Sequence, residues 1–165
     1  MDPYSTHLPV ICSVVSVTSG PVLEMGTGWY STPVLHALCG TARRLVSVDT
    51  DRQWAGRFEN LRTESHEIIT PESYDDCESL LSQEWDVAFI DHAPAPRRIV
   101  DIQRLTHARY VVVHDAESCL EYGYNRITSL FKYALIATNN CPWTGVFSNH
   151  PLTDLIRHSG RLFSL

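Results

Sequence analysis

Short apolar runs that end in polar or acidic residues recur along the chain. They cover residues 22–23, 43–48, 66–70, 85–90 and 108–114. Runs of this length are typical of strands that are buried on both faces of a parallel sheet. Between them the apolar spacing is helical: residues 53–62, for example, place Trp54, Phe58 and Leu61 on one face. The alternation of the two patterns predicts an α/β fold.

Two further apolar runs close the pattern, at residues 134–138 and 143–148. Only four residues join them, so the two strands must be antiparallel. The predicted fold is a doubly wound, mostly parallel seven-stranded sheet that ends in an antiparallel hairpin, in a three-layer αβα sandwich. Further helices are expected at residues 34–39, 74–83, 97–105 and 121–133. Residues 10–17 are compatible with a strand or a short helix, and residues 150–160 with a helix or a loop.

Composition restricts the class of protein. A length of 165 residues indicates one domain, residues 1–165. The net charge of −6 and the absence of a basic run argue against nucleic acid as a partner. No apolar run reaches the ~20 residues that span a bilayer, and the first residues lack the basic start of a secretory signal, so we expect a cytoplasmic protein that does not bind membranes. The five cysteines, an odd number without close pairs, are expected to be buried and reduced: Cys12, Cys39, Cys77, Cys119 and Cys141.

A glycine-containing turn follows the first predicted strand. Glu24 precedes Gly26 and Gly28, and Ser31 stands where a dinucleotide-binding turn would have its third glycine. Glycines allow positive φ and the close approach of a ligand. A carboxylate at Glu24 is unfavourable beside a pyrophosphate and favourable beside a cationic ligand. The turn therefore predicts a site for a positively charged cofactor, and Thr32 and Pro33 begin the next helix.

Acidic residues follow three other strands. Asp49 ends the second strand, where a carboxylate can accept hydrogen bonds from both hydroxyls of a ribose, while Asp51 is expected to cap the next helix. Asp91 follows the fourth strand, together with His92, and Asp115 follows the fifth. Carboxyl ends of parallel strands meet at one edge of a sheet, which predicts a shared site.

The pattern Glu24-x-Gly26-x-Gly28-x-x-Ser31, with the strand-end acids and the final hairpin, resembles class I S-adenosylmethionine-dependent methyltransferases. The resemblance covers residues 21–149. It implies S-adenosylmethionine as cofactor, with Glu24 near its amino group. The implied cofactor residues are Glu24, Gly26, Thr27, Gly28, Ser31, Asp49, Thr50, Ser73 and Asp91. Ser73 stands in the loop expected to contact adenine and could equally cap a helix, and residues 1–20 are expected to help close the site.

Within that family the chain is most similar to small-molecule O-methyltransferases of the catechol type. Asp91 and Asp115 match two of their metal ligands, but Ala116 stands where the family has asparagine. A divalent metal, with help from Glu117 or His114, therefore stays an open alternative. The predicted catalytic residues are Asp91, His92 and Asp115, with His92 or His114 as the base.

The predicted activity is methyl transfer to an oxygen or nitrogen of a small molecule or peptide. One alternative is a catalytically silent module that binds the cofactor or a partner. Another is a nucleotide-dependent oxidoreductase, which Glu24 and Ser31 disfavour. The sequence carries no signal for an oligomeric state.

Overall fold

A seven-stranded sheet forms the centre of the computed structural model, which describes residues 2–118, 120–159 and 162–163. The strands are β1 (Val22–Met25), β2 (Leu45–Val48), β3 (His66–Ile69), β4 (Val87–Ile90), β5 (Tyr110–His114), β6 (Tyr133–Ala137) and β7 (Thr144–Ser148). Their order across the sheet is β3-β2-β1-β4-β5-β7-β6. Every residue of β1, β2, β4 and β5 is buried, as the continuous apolar runs predict.

Strands β1 to β5 are parallel to one another, whereas β7 is antiparallel to both β5 and β6. The predicted sheet and its terminal hairpin are thus confirmed. The position of β7 between β5 and β6 distinguishes this sheet from the dinucleotide-binding order 3-2-1-4-5-6.

Helices cover both faces of the sheet, which confirms the three-layer arrangement. They are α1 (Leu8–Ser16), α2 (Ser31–Cys39), α3 (Arg52–Ala55), α4 (Glu78–Leu81), α5 (Ala95–Arg104) and α6 (Thr153–Ser159). One core contains buried residues of α1, α2 and α6, and the other contains those of α4 and α5. In the described part of the chain, every helix is too short or too polar to cross a bilayer.

Several predicted helices are shorter than expected. Residues 53–62 split into α3 and a 3₁₀ helix over Gly56–Leu61, and residues 74–83 split into a 3₁₀ helix over Tyr74–Cys77 and α4. Of residues 121–133 only Tyr124–Ser129 is helical, as a 3₁₀ turn. Gly123 has a φ of 70°, which a right-handed helix does not accommodate, and the strand β6 already begins at Tyr133.

The remaining predictions concern the two ends of the chain and the cysteines. Residues 10–16 belong to helix α1, with Val17 as its C-cap, and residues 153–159 form α6, while residue 160 lies outside the described residues. Cys12, Cys39, Cys77 and Cys141 are free thiols; Cys39 and Cys77 are buried as expected, whereas Cys12 is half-buried and Cys141 is exposed. Cys119 lies outside the described residues.

The register of the parallel strands brings the predicted site together. Met25 pairs with both Val48 and Ile90, and Ile90 pairs with Val113. The loops that follow β1, β2, β4 and β5 therefore leave the sheet at the same level of one edge. This is the edge at which doubly wound sheets bind ligands.

Candidate active site

Three cavities lie along the carboxyl edge of the sheet. The turn cavity, of about 420 Å³, is bordered by the glycine turn, Trp54 and Asp91. The acceptor-side cavity, of about 370 Å³, is bordered by Asp91, His114 and Asp115. The loop cavity, of about 290 Å³, lies between the segments that follow β2, β3 and β4. A larger cavity, of about 620 Å³, opens at the opposite edge, among residues that precede β4 and β5, and is remote from these groups.

Gly26 is where the chain turns at the end of β1. Its φ is 95°, and a Cβ atom there would lie 2.7 Å from the Cα atom of His92. Only glycine fits both the backbone angle and the contact. The next residues, Thr27 and Gly28, line the turn cavity together with Ser31.

The Glu24 carboxylate lies beneath this turn and is fully buried. It accepts hydrogen bonds from the hydroxyls of Thr32 (3.0 Å) and Ser47 (2.6 Å). Burial raises its pKa to about 7, although the hydroxyls of Ser31, Ser47 and Thr32 act in the opposite direction. Glu24 is not among the residues that border the cavities described above, which argues against the predicted position near a cofactor amino group. Glu24 supports the turn through Thr32, whose hydroxyl oxygen accepts the Gly28 N–H at 2.9 Å.

Asp49, at the end of β2, holds the turn from the other side. One carboxylate oxygen accepts hydrogen bonds from the backbone N–H (2.9 Å) and hydroxyl (3.0 Å) of Thr27. The Trp54 indole N–H donates to the Thr27 carbonyl at 2.7 Å. Asp51 caps α3 by accepting the Trp54 N–H, as its position in the sequence indicates. Trp54, predicted to be purely a core residue, thus also borders the turn cavity.

Thr50 and Ser73 meet at the loop cavity, where Pro94 and Arg97 form the opposite wall. Ser73 also caps the helical turn that follows it, because its hydroxyl accepts the Asp75 N–H at 3.1 Å. The two interpretations that the sequence leaves open for Ser73 are therefore compatible.

Asp91 borders both the turn cavity and the acceptor-side cavity. Arg98 of α5 lies 2.9 Å from Asp91 Oδ1 and 2.8 Å from Asp115 Oδ2, and only 7% of the residue is exposed. The guanidinium group thus bridges the two carboxylates that a catechol-type metal would share. The arrangement does not fit a metal held by Asp91 and Asp115.

His114, the last residue of β5, faces Asp91. Its Nδ1 atom lies 3.3 Å from the Asp91 carboxylate, and its Nε2 atom lies 3.0 Å from Thr6 Oγ1. Burial disfavours the charged imidazole, but the Asp91 carboxylate outweighs it and raises the pKa of His114.

His92 lies on the other side of the sheet from this cluster. Its side chain is fully buried, with Nε2 3.0 Å from Asp101 Oδ2 and the ring 4.4 Å from that of Tyr74. The imidazole borders none of the three cavities, so the prediction of His92 as the general base is wrong. It is a core residue that anchors α5 to the end of β4.

His7 was not predicted, and it completes the cluster. The residue is 2% exposed and borders the turn cavity together with Asp2 and Tyr4. Burial lowers its pKa to about 4, assisted by His114 and opposed by Asp91, so the ring is neutral at pH 7. Among the described residues, neither of its ring nitrogens has a hydrogen-bond partner. No motif surrounds His7 in the sequence, and only the packing of the first residues against β4 and β5 identifies it.

Comparison with known proteins gives matches at the level of structure alone. No protein-family model and no curated protein sequence matches the chain. The O-methyltransferase TomG of Streptomyces achromogenes, solved with S-adenosylmethionine, superposes with a TM-score of 0.67 at 17% identity, over 91% of this chain and 81% of that one. Human methyltransferase-like protein 13, solved with S-adenosylhomocysteine, superposes with a TM-score of 0.68 at 10% identity, over 96% of this chain and 90% of that one.

An O-methyltransferase of Bacillus cereus, solved with S-adenosylhomocysteine, gives a TM-score of 0.59 at 18% identity, over 90% of this chain and 82% of that one. These likenesses concern the backbone, and they agree with the strand order and the terminal hairpin described above. The chain therefore has the Rossmann-like fold of class I S-adenosylmethionine-dependent methyltransferases.

Proposed function

We propose that the protein binds S-adenosylmethionine and transfers its methyl group to an oxygen or nitrogen of a small molecule or peptide. The observation that carries this proposal is the position of Asp91 between the turn cavity and the acceptor-side cavity. A cofactor in the first cavity and an acceptor in the second would meet beside this side chain. Holding two reactants in line supplies much of the rate of such a displacement.

The cofactor would extend along the carboxyl edge of the sheet. Its amino-acid end would occupy the turn cavity, against Thr27, Gly28 and Ser31. Its ribose would bind Asp49, and its adenine would lie in the loop cavity beside Thr50 and Ser73. The solved neighbours that hold this cofactor or its demethylated product support the choice of ligand.

Charge at the site also supports a sulfonium ligand. The carboxylates of Asp2 and Asp91 border the turn cavity, and neither lysine nor arginine is among the described residues that line it. During transfer the methyl carbon moves from sulfur to the acceptor atom, and the electrons of the broken bond stay on sulfur, which becomes neutral. The site thus favours the charged cofactor over its product.

The acceptor-side cavity limits the acceptor. Its volume of about 370 Å³ is at the small end of the range for small-molecule sites. Its polar border consists of Asp91, Arg98, His114 and Asp115, which suits an acceptor with a hydroxyl or amino group. The acceptor must lose a proton, and these groups are the ones near enough to assist.

A catalytically silent module is the second candidate, and Arg98 is the observation that favours it. Because Arg98 is paired with both Asp91 and Asp115, neither carboxylate is a free base. A silent module would bind the cofactor but form no S-adenosylhomocysteine with any member of a panel of phenols, catechols and amines.

Calorimetric titration with S-adenosylhomocysteine tests the proposal. We expect binding at one site per chain and a loss of affinity of at least tenfold in Asp49→Asn, because a hydrogen bond to a charged group contributes about 1.5–3 kcal/mol. Asp51→Asn is the matched control, since asparagine also caps helices. Absence of binding to the folded wild-type protein would reject the proposal, and equal affinity of the two variants would reject the ribose assignment.

A further inference from the structure

Three side chains form the wall between the turn cavity and the acceptor-side cavity. They are His7 before α1, Asp91 after β4 and His114 at the end of β5. One ligand atom of each lies within 4.8 Å of those of the other two. His7 and His114 are 98% and 96% buried, respectively, and Asp91 reaches both cavities.

His7 lacks a partner that its chemistry requires. It lies in a buried position with both ring nitrogens unpaired among the described residues, while it borders the turn cavity. A buried polar group without a hydrogen bond costs about 1–3 kcal/mol. Its edge-on contact with the His114 ring, at 4.8 Å between centroids, directs no hydrogen bond to either nitrogen. A ligand that accepts the lone pair of the unprotonated nitrogen would remove the part of this cost that belongs to that nitrogen.

The contacts of His114 leave one of its nitrogens facing Asp91. Its Nε2 atom lies 3.0 Å from the Thr6 hydroxyl, which also lies 3.2 Å from the Pro3 carbonyl. In the tautomer in which Nε2 donates to Thr6, Nδ1 presents a lone pair towards the Asp91 carboxylate, 3.3 Å away. This contact is stabilised either by a proton on Nδ1, as a hydrogen bond to Asp91, or by a metal cation that both atoms bind. A histidine ligand whose other N–H donates to a protein oxygen is the usual arrangement at metal sites.

We propose that His7, Asp91 and His114 bind one divalent transition-metal cation of the zinc type. Imidazole nitrogens together with a carboxylate suit such ions rather than magnesium or calcium, which prefer oxygen ligands. In a tetrahedral site with bonds of 2.0–2.1 Å, the ligand atoms are about 3.3 Å apart. Asp91 and His114 already have this separation. His7 needs to approach by at most about 1.5 Å, the difference between that spacing and 4.8 Å.

Arg98 makes this site different from the catechol type. It occupies the space between Asp91 and Asp115, so Asp115 is not available as a ligand. It contacts Asp91 through Oδ1, which leaves Oδ2 for a cation on the side of the histidines. The first residues of the chain, rather than the loop after β5, would then complete the metal site.

Three protein ligands leave a fourth position open, as in catalytic zinc sites. The position lies where the two cavities meet, so an acceptor hydroxyl could occupy it. The bound cation would stabilise the deprotonated oxygen, and the released proton would pass to solvent through the acceptor-side cavity. This role rests on the proposed methyl transfer, whereas the binding of the cation does not.

Cobalt titration of the chelator-treated, untagged protein tests the site without cofactor or acceptor. We expect one Co²⁺ per chain, with visible d–d absorption of a four- or five-coordinate ion that Zn²⁺ abolishes. His7→Gln and His114→Gln should lower the affinity by on the order of 100-fold or more, and Thr6→Val by about 10–100-fold through His114. His36→Gln, at a half-buried histidine beside His66, is the matched control and should bind as the wild type does.

Two results would overturn the site: no stoichiometric Co²⁺ binding by the wild-type protein, or equal affinity of the wild type and His7→Gln. Circular dichroism of each variant establishes that it is folded, and if His7→Gln is not, Thr6→Val decides by the same criterion. Separate calorimetry with S-adenosylhomocysteine distinguishes failure of the metal site from failure of the proposed function.

Discussion

Replacement of Glu24 by glutamine tests how the turn after β1 is supported. The carboxylate is fully buried and is bonded to Ser47 and Thr32. Glutamine has nearly the same shape and cannot ionise. The variant therefore removes the titration of this position while it keeps most of the packing.

The size of the expected change in unfolding free energy follows from the pKa of Glu24, which burial raises from the ordinary 4.5 to about 7. Between these values the folded protein holds a proton that the unfolded chain has lost, so a rise in pH favours unfolding. The stability that the protonated carboxyl contributes is complete below pH 4.5 and is lost as the pH rises through about 7. Since one pKa unit corresponds to 1.36 kcal/mol, the loss amounts to about 3 kcal/mol.

Urea unfolding of wild type and Glu24→Gln from pH 4.5 to pH 8 measures this effect. The unfolding free energy of the variant minus that of the wild type should rise by up to about 3 kcal/mol over this range. His66 titrates in the opposite sense, because burial lowers its pKa to about 4, and it contributes to the difference only through the Ser47 hydroxyl that it shares with Glu24. Glu67→Gln is the control at a partly exposed carboxylate, where the ion pair with Arg44 contributes at most about 1 kcal/mol. Parallel curves for wild type and Glu24→Gln would refute the reasoning.

Two further substitutions probe the edge of the sheet by urea unfolding. Arg98→Met should lower the unfolding free energy by about 3–5 kcal/mol, since it leaves two partly buried carboxylates without their partner. Arg52→Met, in an exposed pair, is the control and should have no measurable effect. A loss below 1 kcal/mol for Arg98→Met would contradict the bridging role of Arg98 between Asp91 and Asp115. Gly26→Ala should cost more than about 1 kcal/mol, because its φ is 95° and the new Cβ meets the backbone. Gly56→Ala, with open space and a helical φ, should be neutral or stabilising, and equal effects of the two alanines would exclude a special role for Gly26.

The fold could be predicted from the sequence because its central strands are buried on both faces. Such strands appear as apolar runs that end abruptly at polar residues, as residues 108–114 do. The helices were harder to predict, since several consist of a single turn held by tertiary packing. The segment 53–62 changes from α-helix to 3₁₀ helix at Gly56, and the positive φ of Gly123 excludes residues 121–123 from the helical turn that follows. The helical spacing of apolar residues does not by itself show where a helix breaks or changes type.

The error at His92 has a simple geometric origin. Side chains alternate between the two faces of a strand, so consecutive residues at its end point in opposite directions. Phe89 packs with the α1 layer and Ile90 with the α5 layer. The same alternation carries Asp91 towards His7 and His114 and carries His92 towards Asp101. The alternation of side chains along residues 87–92 therefore predicts that Asp91 and His92 lie on opposite faces of the sheet.

The role of His7 could not be read from the sequence in the same way. It is separated from Asp91 and His114 by more than 80 residues, and no motif precedes α1. The contact depends on the first residues folding back against β4 and β5, where the His7 ring lies 5.0 Å from that of Phe89. Such a contact is a property of tertiary packing, whereas the acids at the strand ends follow directly from the apolar pattern.

The glycine turn shows how a departure from a motif can be compensated by neighbouring residues. Ser31 stands in place of the third glycine, and its hydroxyl hydrogen-bonds to the buried Glu24 carboxylate while the residue also borders the turn cavity. Thr32 donates its hydroxyl hydrogen to Glu24, which leaves its oxygen free to accept the Gly28 N–H. Asp49 fixes the other side of the turn through Thr27. Because hydroxyls and carboxylates hold the turn from below and from the side, its conformation does not depend on a third glycine, and the carboxylate below it is part of the support rather than of the ligand site.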